Sequence, residues 1–144
     1  MPTTPNRTYT GKQANPTNST QAVERVGKLA ASLTLLAGQP LQLNPATGLY
    51  SAWTTGTPTG PMAVLRYDTT TDAAGLHSSY GGDWGENSLT CQMYAGGDFK
   101  FSELSGITAA NLGTLLGTHP QWLNLCCVYG NPVTPDANTI VRLG

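Results

Sequence analysis

Residues 40–67 constrain this chain more than any other stretch: two alternating runs flank a turn-forming break, and an uninterrupted apolar run follows. Leu41 and Leu43 alternate with Gln42, so they share one face of an extended segment. Asn44-Pro45-Ala46-Thr47-Gly48 then supplies turn chemistry: Asn bonds its own backbone, Pro presets φ, and Gly tolerates positive φ. Leu49, Ser51 and Trp53 lie on one face of the returning run, with Tyr50 and Ala52 on the other. Met62 to Leu65 is apolar throughout and reads as a buried strand. Together the three runs predict a compact β-meander on which the rest of the fold is built.

The chain's 144 residues suit one domain with a real core. Only 10% of residues are charged, against roughly 25% in an average domain. Thr, Ser, Asn, Gln, Gly and Pro carry the polarity instead, the balance of a turn-rich, mainly β protein with one or two short helices. A net charge of −1 gives no general pull toward nucleic acid or an anionic membrane. No apolar run approaches the roughly 20 residues needed to span a bilayer, and Met1-Pro2-Thr3-Thr4 opens no signal peptide. Three cysteines, two of them adjacent (Cys126 and Cys127), fit no disulfide framework, so Cys91, Cys126 and Cys127 are expected as free thiols in a reducing cytosol.

Residues 1–21 hold prolines, threonines and asparagines with almost no aliphatic side chain, which predicts a flexible N-terminal arm ahead of a β-rich domain over 22–144. Within the arm, Arg7-Thr8-Tyr9-Thr10 is β-prone around a single aromatic, the look of a segment that orders on a partner. Val23 to Ala37 reads as short strands with a turn near Ala31-Ser32, a helix over Gln21 to Ala31 being the alternative. Asp68 to Asn87 is a long polar excursion carrying His77, Tyr80 and Trp84. Leu89 to Tyr94 and Asp98 to Phe101 flank Ala95-Gly96-Gly97, a pattern that predicts a hairpin with Phe99 and Phe101 on one face. Thr108 is a helix N-cap ahead of Leu112, Leu115 and Leu116, with Gly117 as the stop. Leu123 to Tyr129 and Thr139 to Leu143 read as further strands.

Chemistry is sparse. No nucleophile signature surrounds the cysteines or the two histidines, His77 and His119. Nor is there a zinc spacing, a calcium-loop order, a paired-carboxylate pattern or a phosphate-cradling glycine motif. No enzyme activity, cofactor or metal is expected. Trp53 reads as core or subunit-interface packing, as do Phe99 and Phe101, whereas Trp84 in its glycine-rich loop is the candidate exposed contact. A surface-presenting structural protein fits this pattern. The other reading is a β-rich carbohydrate- or ligand-binding module using Trp84 and Tyr80.

Pro40-Leu41-x-Leu43-Asn44, Leu49-x-x-Ala52-Trp53-x-x-Gly56-Thr57, the apolar Met62 to Leu65 and then Gly96-x-x-Phe99-Lys100-Phe101-Ser102-Glu103-Leu104 appear in that order. This succession resembles the phage lambda head decoration protein family. Asp68 to Asn87 is longer than the corresponding connection there, and Ala109 to Val128 is more apolar. The resemblance implies a β-clip-like (β-tulip) domain that forms a homotrimer, with a disordered arm. It also implies a non-enzymatic cement protein on the outside of an expanded virion capsid, made in the host cytoplasm. The implied partner is the major capsid protein, held through Pro5, Asn6, Arg7, Thr8, Tyr9, Thr10 and Gly11 of the arm.

Overall fold

A computed structural model describes residues 13–17, 22–77, 90–119, 121–124, 135–137 and 139–144. Among them the chain is mainly β: β1 (Val23–Leu29), β2 (Thr34–Leu35), β3 (Pro40–Asn44), β4 (Leu49–Ala52), β5 (Met62–Leu65), β6 (Thr69–Thr70), β7 (Thr90–Lys100), β8 (Trp122–Asn124) and β9 (Ile140–Leu143). Helix α1 (Ala109–Thr118) and a 3₁₀ turn (Phe101–Glu103) complete the set.

Seven strands form one mixed sheet in the order β1-β4-β3-β5-β7-β9-β8, while β2 pairs with β6 apart. Because β1 also pairs with β7, strands β1, β4, β3, β5 and β7 close into a small barrel. The seam between β1 and β4 is its parallel contact and joins only Lys28 to Leu49 and Leu29 to Tyr50.

The expected strands over 40–67 form, but not as a meander. β3 takes the central place, with Leu41 opposite Ala52 of β4 on one side and Ala63 of β5 on the other. The composition of β5 explains the order. Ala63 and Leu65 pack inside the barrel with Leu29, Leu41, Cys91 and Met93. Met62 and Val64, on the opposite face, join a second core with Trp53, Phe99, Leu112, Leu115, Trp122 and Val141. A strand apolar on both faces belongs between two cores, and β4, half-buried throughout, takes the position with less cover. Each large side chain buried this way contributes roughly 1.5–3 kcal/mol.

The turn over 44–48 forms as its residues dictate: Asn44 Oδ1 accepts from Ala46 N at 3.0 Å, and Gly48 N donates to Asn44 O at 2.8 Å. Short strands also replace the alternative helix before β3, with Ser32 at φ 58° in the bend between β1 and β2.

The hairpin predicted around Ala95-Gly96-Gly97 does not form. Thr90 to Lys100 is a single strand of 11 residues, bent at a bulge. Val23 faces Gly96 and Glu24 faces Tyr94, so Ala95 is the extra residue. Gly97, at φ 146°, then lets the strand leave the barrel and pair with β9. The two glycines bend a strand instead of reversing it, because β1 and β9 each supply a ladder for one half. Beyond the bend, buried Asp98 faces Arg142, whose Nε and Nη2 donate to the two carboxylate oxygens at 2.7 and 3.1 Å.

Helix α1 starts where Thr108 predicts: its side chain accepts from Asn111 N at 3.2 Å. Gly117 does not stop it. The helix runs one residue further and ends at His119, which is extended (φ −103°, ψ 127°), as the residue before a proline prefers.

Candidate functional site: the arm root and the outer face of the barrel

The arm expected over residues 1–21 has a fixed root. Ala14 N donates to Arg66 O at 2.9 Å, and Gln13 bridges Tyr67 in antiparallel fashion. Thr17 N reaches Asp98 O at 2.6 Å. Ala14 is fully buried, and the Tyr94 hydroxyl donates to its carbonyl at 3.4 Å. Residues 13–17 therefore cross the outside of β7, covering Tyr94, and twelve residues precede them.

Beside the root lies an Arg66-centred cluster. Its guanidinium sits 5.1 Å from the Tyr67 ring centroid and 5.8 Å from that of Tyr94. Arg66 Nη1 meets Glu24 Oε1 at 3.0 Å and donates to Gln92 Oε1 at 2.8 Å. Burial raises the Tyr94 phenol above its ordinary range; the positive Arg66 opposes that, while Glu24 and Tyr67 reinforce it. A hollow of about 470 Å³, lined by Glu24, Arg25, Val26, Arg66 and Gln92, opens over this face.

β1 carries the second feature. Val23 to Gly27 pair with β7 on one side, and among the described residues no strand occupies their other edge, because β4 reaches only Lys28 and Leu29. Val26 is 68% exposed and Val23 47%, two of the three exposed large hydrophobics among the described residues. An open edge with exposed β-branched side chains can accept an extended segment through backbone hydrogen bonds. Glu24 and Arg25, both exposed, are charges on this edge of the kind that discourage indiscriminate pairing.

The residues singled out from sequence fall in three groups. Trp53 and Phe99 are buried in the core of this one chain, and Phe101 packs half-buried against it. Trp53 Nε1 is taken up by Gly56 O at 3.0 Å. Pro5 to Gly11 of the arm, Tyr80, Trp84, Cys126 and Cys127 lie outside the described residues. Cys91 is a free thiol inside the barrel, pushed up to about 12 by burial. His77 is buried against the Thr90 carbonyl. Sequence reasoning missed the arm root and the Arg66 cluster. Ala14 is one small residue among polar neighbours, and Glu24, Arg66 and Gln92 are brought together only by the β1–β7–β5 register.

Among the described residues no three His, Cys, Asp or Glu side chains group as metal ligands, and no helix is long and apolar enough to cross a membrane. The chain matches no family model, and the searches of curated proteins and of solved structures find no match either.

Proposed function

We propose that the protein is a capsid decoration protein of a tailed phage. It binds as a homotrimer at local three-fold positions on the outside of the expanded head and braces the shell against packaged DNA. The observation that carries the proposal is the anchored root at Gln13 to Thr17, which seats the end of the polar stretch expected as an arm on a β body. The motif succession resembling the lambda decoration family supports the same reading, and the β-tulip body of that family is part of it. The leader adds a strand to an exposed edge of the major capsid protein, Arg7 to Thr10 supplying β-prone residues and Tyr9 the register. Ordering ten residues costs roughly 10–20 kcal/mol of backbone entropy, so contacts must be extensive. Three leaders on one trimer help, because the second and third bind at high effective concentration. A shell whose sites are wrongly spaced loses that gain, which makes attachment wait for expansion.

The test is a truncation placed by the structure. Removing residues 1–12 leaves buried Ala14 and the rest of the root in the chain, and a cooperative melt of the truncated protein checks that the body still folds. Mixed with expanded heads that lack decoration, the intact chain co-sediments saturably and the truncated chain stays in the supernatant. Equal uptake of the two would remove the leader from the mechanism; no uptake of the intact chain would reject the proposal.

A further inference from the structure

The hollow of about 470 Å³ beside the arm root has walls that suit a side chain carried only a few residues ahead of that root. We infer that Tyr9 of the leader, residues 1–12, seats in this hollow, so that the leader folds back on its own body until another partner takes it.

Reach is the first ground. The leader joins the body at Gln13, which bridges Tyr67, and the next residue bonds Arg66 O through Ala14 N at 2.9 Å. Arg66 N in turn donates to Gln92 O at 3.3 Å, and Gln92 faces Val26 across the β1–β7 ladder. Adjacent strands lie roughly 4.8 Å apart, so Val26 is about 10 Å from Arg66. The stretch from Tyr9 to Gln13 spans at most about 14 Å when extended. With the length of its own side chain added, Tyr9 reaches the hollow's walls, Glu24, Arg25, Val26, Arg66 and Gln92, while Gln13 stays bridged. A tether that short holds the ring at high effective concentration.

The walls supply what a phenol needs. Val26, 68% exposed, offers an apolar contact to the ring. Arg25, also exposed, can present its guanidinium to a ring face. Glu24 meets Arg66 through Oε1, and with the Glu24 side chain 61% exposed its second oxygen can accept the phenol O–H. Tyr9 is the only aromatic among residues 1–12. The leader's other anchors fit less well: Arg7 and Lys12 are both positive, and two arginines against one glutamate line the hollow, so the ring rather than an ion pair holds it. Covering Val26 also withdraws the open edge of β1 from indiscriminate pairing. A contact of this size is shed on heating before the body melts, so it does not set the melting midpoint. The inference rests on the decoration reading only for what displaces the leader. A capsid edge that takes Arg7 to Thr10 must first free Tyr9, and its apparent affinity scales with the fraction of leaders that are free.

The test is NMR of the full chain. Nuclear Overhauser contacts are expected between the Tyr9 ring and the Val26 methyls, with ring-current shifts of those methyls that Tyr9→Ala abolishes and Tyr9→Phe keeps. Both variants lie ahead of the root and leave every described core residue in place. In a mixture of isotope-labelled and unlabelled chains the contacts should stay within one molecule. Absence of contacts between Tyr9 and Val26, Val26 shifts unchanged by Tyr9→Ala, or contacts running from labelled to unlabelled chains would overturn the inference. Uptake onto expanded heads is scored separately, so loss of these contacts leaves the decoration reading standing, and failure of uptake leaves the docked leader.

Discussion

Cys91 shows how far burial alone sets a side chain's chemistry. It stands opposite Gly27 inside the barrel, packed with Met93 and Leu41, and its thiol is pushed up to about 12 because no polar group replaces the water a thiolate would lose. Below pH 9.0, the ordinary value, the thiol is protonated in both folded and unfolded chains. Between there and about 12 the unfolded chain releases the proton while the folded chain retains it, so stability falls as pH rises through that window. Tyr94, also raised by burial, adds to the fall higher in the same range. Denaturant midpoints of Cys91→Ala are therefore expected to decline less steeply above pH 9.0 than those of the native chain, with Tyr94 supplying the residual slope. Identical slopes would show that Cys91 ionises as readily folded as unfolded. Gly38 illustrates the opposite constraint, space. It holds φ 85°, and a Cβ there would lie 2.0 Å from the Glu103 carbonyl oxygen, so Gly38→Ala should destabilise strongly and lower the thermal midpoint.

Elements were legible wherever a local pattern decides the outcome. Thr108 with its leucines gave α1, the Asn44–Gly48 break gave the β3–β4 turn, and Met62 to Leu65 gave a buried strand. Gly96-Gly97 misled because glycine serves a turn and a bulge equally well. The choice rests on β1 and β9, one far before and one far after it in the chain, which are invisible in a short window. The strand order around β3 was hidden for the same reason, since pairing depends on which faces find cover. α1 also shows why propensity is a weak guide: Gly113 and Gly117 lie within it, and Leu112 and Leu115 hold it against the second core. Its cap should still be measurable. Thr108→Ala is expected to cost about 1 kcal/mol in denaturant unfolding, and Thr108→Asp to restore most of that, because only the Asn111 N–H needs an acceptor. A loss that Asp does not restore would place the role of Thr108 outside capping.

At the scale of the whole molecule, composition predicts a polar arm over residues 1–21 ahead of a β body, and residues 13–17 of that stretch are seated on the body. Nothing in Gln13-Ala14-Asn15-Pro16-Thr17 announces burial. The root forms because β7 presents the Tyr94 ring outside the barrel and Arg66 O and Asp98 O accept from this stretch. The boundary can be located by truncation. Deleting residues 1–12 leaves the root and every described residue of the second core in the chain, so the thermal midpoint should stay within a degree or so of the native value. Deleting residues 1–17 uncovers Tyr94, abandons the hydrogen bonds of Ala14 and Thr17, and leaves the Arg66 and Asp98 carbonyls to water. Loss of two such bonds and a buried methyl predicts a fall of roughly 2–3 kcal/mol, or about 5–10 °C in a domain of this size. The intermediate variant Ala14→Asp places a carboxylate where the alanine has no exposed surface, and should match the longer deletion without shortening the chain. If the longer deletion and Ala14→Asp both melt with the native protein, the root is not bound to the body in solution.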